Sequence, residues 1–343
     1  MKKQLLLILL PVFFQIVLYA QEPSGYYNGT AGLDGTTLKA ALNSIISNHT
    51  EYDYDAIKEI IKLTDEDPAN SNNVILLYTG RSQSKSSFGN NADDWNREHV
   101  WAKSHGDFGE TKPCGTDLHH IRPTDVSVNN SRGNLDFDNG GNPHSEATGC
   151  SYDSDSWEPR DEVKGDVARM MLYMVVRYEG FSGEPDLELV DYVGTDGTPT
   201  FGKLSTLLSW HHLDTVDDFE RHRNDVIYQY QGNRNPFVDR PVFVSYIWEG
   251  ASAGKEETGI NDYALSVYPN PAKDILNVCA PHLFNKKMTV IFYNALGRPV
   301  KTIKDLQVSK KNTLPVYDLE RGAYFVKFIS GDITSVERVV IER

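Results

Sequence analysis

The hydrophobic pattern of this chain changes period near Gly250, and that switch divides it into two parts that cannot share one kind of core. Upstream, apolar residues recur at helical spacing: Leu38, Leu42, Ile45 and Ile46 within Thr37 to His49, then Ile57, Ile60 and Ile61 within Asp55 to Leu63. Pro159 to Tyr178 carries the strongest stripe, made of Val163, Val167, Met170, Met171, Met174 and Tyr178, which assigns those side chains to core packing. Thr215 to Tyr230 is a further helix, with Thr215 and Asp218 as a variant capping box. Asn73 to Tyr78 suits a short buried strand closed by Gly80, Ser82 to Asp94 is polar and reads as a loop, and Asn96 to Phe137 alternates short extended stretches with turns.

Ala251 to Asn261 is small and polar, follows neither period and reads as a linker. From Tyr263 onward the apolar runs are short and broken by turns, as in Leu276 to Val278, Met288 to Tyr293, Val300 to Ile303, Tyr324 to Ile329 and Ser335 to Ile341, and they predict a small β-sandwich. The expected class is α+β, with a mainly helical part at 21–249, a linker at 250–262 and a β-domain at 263–343.

The first twenty residues read as an export signal. Lys2 and Lys3 precede an apolar run from Leu5 to Val17, and Leu18-Tyr19-Ala20 offers a small residue at the cut before Gln21. That run is shorter than the ~20 residues that span a bilayer, so cleavage is favoured over anchoring and no stable membrane insertion is expected. A secreted or surface-held monomer follows. The net charge of −14 weighs against nucleic-acid binding over a broad surface, although it leaves room for a local basic groove. Export also permits disulfides. Cys114 and Cys150 flank one segment and are the first candidates for a bridge, with Cys279 a lone thiol; three free thiols is the other reading.

That segment carries the chemistry. It holds Asn96-Arg97-Glu98-His99-Val100-Trp101, then Asp117-Leu118-His119-His120-Ile121-Arg122-Pro123, then Val128-Asn129-Asn130-Ser131-Arg132-Gly133-Asn134. A neutral imidazole takes a proton from water near physiological pH. A hard cation takes oxygen ligands and neutralises a crowded phosphate. His99 supplies the first, and Glu98 and Asn129 each offer an oxygen for the second, with Asn130 and Asn134 as the alternatives to Asn129 within the same motif. Neighbouring residues on a regular strand face opposite ways, so Glu98 and His99 are placed at a strand end entering a loop, with Asn129 on a short helix opening near Pro123.

From about Tyr78 to Trp248 the chain resembles the endonuclease I family of secreted bacterial nucleases, within the ββα-metal (His-Me finger) superfamily. The resemblance rests on the three motifs above, on Lys164-Gly165-Asp166-Val167-Ala168-Arg169 and on Gln231-Gly232-Asn233-Arg234-Asn235-Pro236-Phe237. It implies His99 as general base, Glu98 and Asn129 as ligands of Mg²⁺ (or Mn²⁺ or Ca²⁺), and His120 as a brace, with Asn96 and Asn134 as further supports. It implies hydrolysis of internal bonds of DNA, and of RNA as well, leaving 5′-phosphate ends and reading backbone more than bases. Some relatives carry an Arg in the loop after the base; Lys103 to Thr116 has Lys103 and Lys112 but no Arg. Arg122, Arg132 and Lys103 are therefore the expected substrate contacts, Arg132 having loop anchoring as its alternative. Asp166 and Arg169 are expected to brace the core helix, and Arg221, Arg223 and Arg234 are further candidates for a groove.

Two rivals stand beside this reading. His99, His105, His119 and His120 with Cys114 and Cys150 offer the elements of a zinc hydrolase, although their spacing matches no standard zinc pattern. A non-catalytic nucleic-acid-binding module is the other, and it has no need of a base beside a metal ligand. The tail resembles the sorting domain of the type IX secretion system in Val267-Tyr268-Pro269-Asn270-Pro271-Ala272, Gly322-Ala323-Tyr324-Phe325-Val326 and Val339-Val340-Ile341-Glu342-Arg343. That likeness makes the secretion machinery a partner, in preference to an accessory carbohydrate-binding sandwich.

Overall fold

The computed structural model describes residues 22–251 and, with short gaps, 266–342. The export signal, most of the linker and the Cys279 side chain lie outside the described residues. Helices and strands are both abundant, as an α+β class requires.

Two helices open the larger part: α1 (Gly35–Ile46) and α2 (Tyr54–Thr64). Leu38, Leu42 and Ile46 of α1 join the main core. Ile57, Ile60 and Ile61 of α2 pack instead with Val74, Leu76, Trp95, Leu118, Ile121 and Ile227, a second core beneath the site described below. The run expected as a buried strand splits. Asn70–Ile75 is the strand, paired with a short Ser82–Ser84 strand inside the expected loop, while Leu76, Leu77 and Tyr78 remain fully buried beyond it.

Trp95–His99 pairs antiparallel with Ile121–Asp125, placing Glu98 opposite Arg122 and His99 opposite Ile121. Helix α3 (Val126–Arg132) follows directly. It begins at Val126, three residues after Pro123, and not at the proline. Pro123 lies in the strand opposite Arg97 and its carbonyl accepts from Leu77 N at 2.9 Å, so it serves as a strand residue on a two-stranded ribbon.

The central helix α4 (Lys164–Arg177) is buried along its whole length, not only on its apolar stripe. Its charges are admitted because each is paired: Lys164 reaches Glu158 and Asp161 at 2.7 Å, Arg169 meets Glu220, and Arg177 holds Glu184 at 2.7 Å. Asn43 of α1 donates to the carbonyls of Val176 and Arg177 at 2.8 and 3.1 Å, satisfying two of the groups a helix end leaves open. Just past α4, Tyr178 and, within it, Tyr173 donate their hydroxyls to Asp117 Oδ2 at 2.9 Å. The long loop between the two paired strands is thereby fastened to the core helix.

Helix α5 (Leu204–Leu213) packs on α4, and α6 (Asp218–Gln231) closes the core. The cap of α6 is Asp217, whose carboxylate accepts from Glu220 N at 2.9 Å; Thr215 and Asp218 are not its capping pair. Gly232 ends the helix at φ 83°, a conformation that favours glycine.

The expected disulfide is not formed. Cys114 and Cys150 are both free and buried, the Cys150 thiol donating to Tyr78 O at 3.4 Å. Burial raises both thiol pKa values, Cys150 to about 11.

Residues 266–342 build the expected sandwich. One sheet holds Ser266–Tyr268, Ile275–Cys279 and Asn312–Pro315; the other orders Pro299–Gln307, Lys287–Asn294, Gly322–Ser330 and Ile333–Ile341, all antiparallel. Met288, Val290 and Phe292 alternate inward along their strand, joining Val326, Phe328, Val339 and Ile341 in a core of their own. Among the described residues no helix is long and apolar enough to cross a membrane.

Candidate functional site

The strand Trp95–His99 presents two chemistries because its side chains alternate. Asn96 and Glu98 share one face. Asn129 of α3 lies over it, donating from Nδ2 to Asn96 Oδ1 at 2.7 Å and to Arg97 O at 3.2 Å. Both donor contacts fix the amide so that its oxygen turns away from them. Glu98 is buried, and its Oε1 accepts from Tyr78 Oη at 2.7 Å and ion-pairs with Arg132 Nη1 at 3.4 Å. Burial raises the Glu98 pKa, and Arg132 and Tyr78 oppose that rise. Among the described residues, the hydrogen bonds of these two side chains run through Glu98 Oε1 and Asn129 Nδ2, leaving Glu98 Oε2 and Asn129 Oδ1 open. This donor set is all oxygen, fits a hard cation such as Mg²⁺, and leaves a buried carboxylate that a positive charge would stabilise. Among the described residues no group of three or more His, Cys, Asp or Glu side chains is placed to hold a metal ion, as a zinc centre would need.

Arg97 and His99 alternate with Asn96 and Glu98 along the strand, and Tyr54 packs against both Arg97 and His99. His99 ends the strand, as expected, and its Nε2 donates to Gly115 O at 3.0 Å. That bond leaves Nδ1 with the bare lone pair. Gly115 can bring its carbonyl so near only without a side chain, since a Cβ there would meet Gly109 O at 2.5 Å. Tyr54 stacks on the imidazole at 5.8 Å and His120 meets it edge-on at 5.5 Å, with His120 Nε2 in turn donating to Cys114 O at 2.9 Å. Burial, then the neighbouring His120, hold the His99 pKa well below its ordinary value. The ring is neutral at physiological pH, with a lone pair available for a proton.

The expected substrate cations divide. Lys103 is partly exposed and bonded to Glu110 at 2.9 Å. Arg122 is corrected to an internal brace: it is buried, paired with Asp65 and with Asp166 at 3.1 Å. Arg132 is likewise buried, donating to the carbonyls of His99, Val100 and Gly133, so it fixes the chain leaving the strand instead of meeting solvent. Arg223 and Arg234 are also buried against carboxylates, whereas Arg221 stays at the surface. Asn134 is exposed, its Nδ2 3.4 Å from Ser104 Oγ and its carbonyl accepting from His105 at 2.8 Å. Sequence reasoning missed Tyr54, Tyr78 and Gly115, which contact the site from distant segments, and passed over Arg97, which stands inside a motif it had quoted.

A buried neutral imidazole with a free lone pair, next in the chain to a carboxylate over whose strand the Asn129 amide is held, is equipment for hydrolysing phosphodiesters. Comparison with known proteins agrees. Residues 34–242 match the family described as Endonuclease I, and residues 266–342 match the secretion system C-terminal sorting domain. The extracellular ribonuclease of Bacillus subtilis (strain 168) is 59% identical over 224 residues, covering 65% of this chain and 78% of that protein. The extracellular ribonuclease of Bacillus amyloliquefaciens is 56% identical over 234 residues, covering 68% and 81%. This chain belongs to the Endonuclease I family. It is a nuclease enzyme that acts on phosphodiester bonds, and it is secreted or held at the cell surface.

Proposed function

We propose that the chain is a Mg²⁺-dependent endonuclease hydrolysing internal phosphodiester bonds of RNA and DNA with little sequence preference and leaving 5′-phosphate ends. The observation that carries this reading is the His99 ring, held from behind by the Gly115 carbonyl with Nδ1 unpartnered. His99 Nδ1 receives the proton of the attacking water, and Tyr54 and His120 keep the ring from turning. The cation would be held by Glu98 and Asn129, supplying positive charge against the phosphate and the departing 3′ oxygen. Asn96 aims the Asn129 amide, and Tyr78 and Arg132 aim the Glu98 carboxylate. The name ribonuclease on both relatives supports RNA among the substrates. The C-terminal sandwich is the address read by the type IX secretion machinery, after removal of residues 1–20.

The test is cleavage of plasmid DNA and of an RNA strand by the purified chain and its His99→Ala variant. EDTA should abolish cutting and Mg²⁺ restore it. His99→Ala should lose about 100-fold or more in rate while still binding nucleic acid. Near-parental cutting by the variant would overturn the assigned base, and restoration by Zn²⁺ alone would overturn the assigned metal.

A further inference from the structure

Acids outnumber bases in this chain by 48 to 34, so an arginine without a carboxylate is conspicuous. Within residues 22–251, Arg81, Arg122, Arg132, Arg160, Arg169, Arg177, Arg221, Arg223, Arg234 and Arg240 each form an ion pair. Among the described residues of that range, Arg97 alone forms none. It occupies the strand face that His99 occupies, two residues away.

Its guanidinium is nevertheless held still. The group lies over the Tyr54 ring at 3.5 Å and over the Phe88 ring at 5.3 Å, and Nη1 donates to Tyr54 O. Rings against its plane restrict rotation while leaving its edge, where the remaining N–H donors lie, without a carboxylate. Tyr54 is the same ring that stacks on His99, so one aromatic side chain sets both groups. Lys103, the other cation whose charge reaches His99, is already joined to Glu110.

We propose that Arg97 grips the phosphate that is attacked, its in-plane N–H groups bonding the non-bridging oxygens while His99 faces the water. The inference rests on the endonuclease reading and adds a catalytic residue to it. An ordered fork of donors suits a planar pair of phosphate oxygens, and a guanidinium loses less hydration than an ammonium in reaching them.

The experiment uses the full chain and its Arg97→Ala, Arg97→Gln and Arg97→Lys variants with a single-stranded oligonucleotide. Binding is measured in EDTA across a KCl series, and cleavage and melting temperature are measured in Mg²⁺. Arg97→Ala and Arg97→Gln should lower kcat/KM about 100-fold and flatten the slope of log Kd against log salt by about 0.7, one phosphate contact, with the melting temperature and the Mg²⁺ half-saturation unchanged. Arg97→Lys should keep the parental slope and recover only part of the rate, since a point charge lacks the fork. A parental slope in both neutral variants overturns the proposal whatever happens to the rate, because Arg97 would then be only a packing brace. Should the parent itself fail to cut, the endonuclease reading falls, and the binding slopes still decide whether Arg97 holds phosphate.

Discussion

Tyr78 donates its hydroxyl to Oε1 of Glu98 at 2.7 Å, and both side chains are buried. Burial raises the carboxylate pKa, and Arg132 and then this bond oppose the rise, so Tyr78 both favours the charged form and points it. Tyr78→Phe removes that donor without removing the ring. The half-saturating Mg²⁺ concentration for cleavage should rise about tenfold, as for loss of other groups that orient metal ligands. A metal titration of the variant checks this, and an unchanged midpoint would separate Tyr78 from Glu98 function.

Asp65 is the hinge of the buried charge network. Arg122 and Arg223 converge on its two oxygens from the strand Ile121–Asp125 and from α6, and all three side chains are buried. Asp65→Ala leaves two guanidinium groups without their main counter-ion. Breaking such a pair costs roughly 3–5 kcal/mol, so urea unfolding should show a loss of that size. A cost below about 1 kcal/mol would mean that Asp166 alone balances Arg122.

Asp214 makes stability pH-dependent. Burial, and then the charge of Asp166, raise its pKa from 3.8 to about 7, with Arg169 opposing. A carboxyl whose folded pKa is raised stabilises fully below its unfolded pKa, and that contribution is lost as pH rises through the folded value. The melting temperature should therefore decline between about pH 4 and pH 7 on this account. Asp214→Asn keeps an oxygen for the Gly165 N–H, which donates to Oδ2 at 2.9 Å, but it removes the titration. At pH 8 the variant should melt roughly 2–4 °C above the parent, with the gap closing below pH 4. Calorimetry at the two pH values tests it.

Periodicity made most of the framework legible. Helices α1, α2, α4 and α6 and the longer strands of the sandwich all lie where local apolar spacing put them. His99 at a strand end and Asn129 on a short helix were legible because both belong to compact motifs. What failed to show was partnership across the chain. Arg122 has the residue type of a phosphate contact, yet its acids lie 57 and 44 positions away, and only folding brings them together. Tyr78 sits 20 residues before Glu98 with no motif joining them. The solitude of Arg97 is a property of all the other ion pairs and has no local signature. The cap of α6 moved from Thr215 to Asp217 because several residues near that helix start offer an oxygen, and backbone geometry selects among them.

The cysteines give the last prediction. Cys114 begins the turn that supplies carbonyls to His120 and, through Gly115, to His99, whereas Cys150 lies against the Tyr78 carbonyl. Drawing the two sulfurs together would pull on both supports of the site. Burial also raises each thiol above its ordinary pKa, so few thiolates form in the native protein to start oxidation. Alkylation of the native chain should therefore leave the peptides bearing Cys114 and Cys150 unmodified, and alkylation in denaturant without reductant should label both. Dithiothreitol should shift neither the melting temperature nor the cleavage rate. A peptide pair linked through Cys114 and Cys150 in the secreted protein would restore the disulfide and require this loop to be redrawn around it.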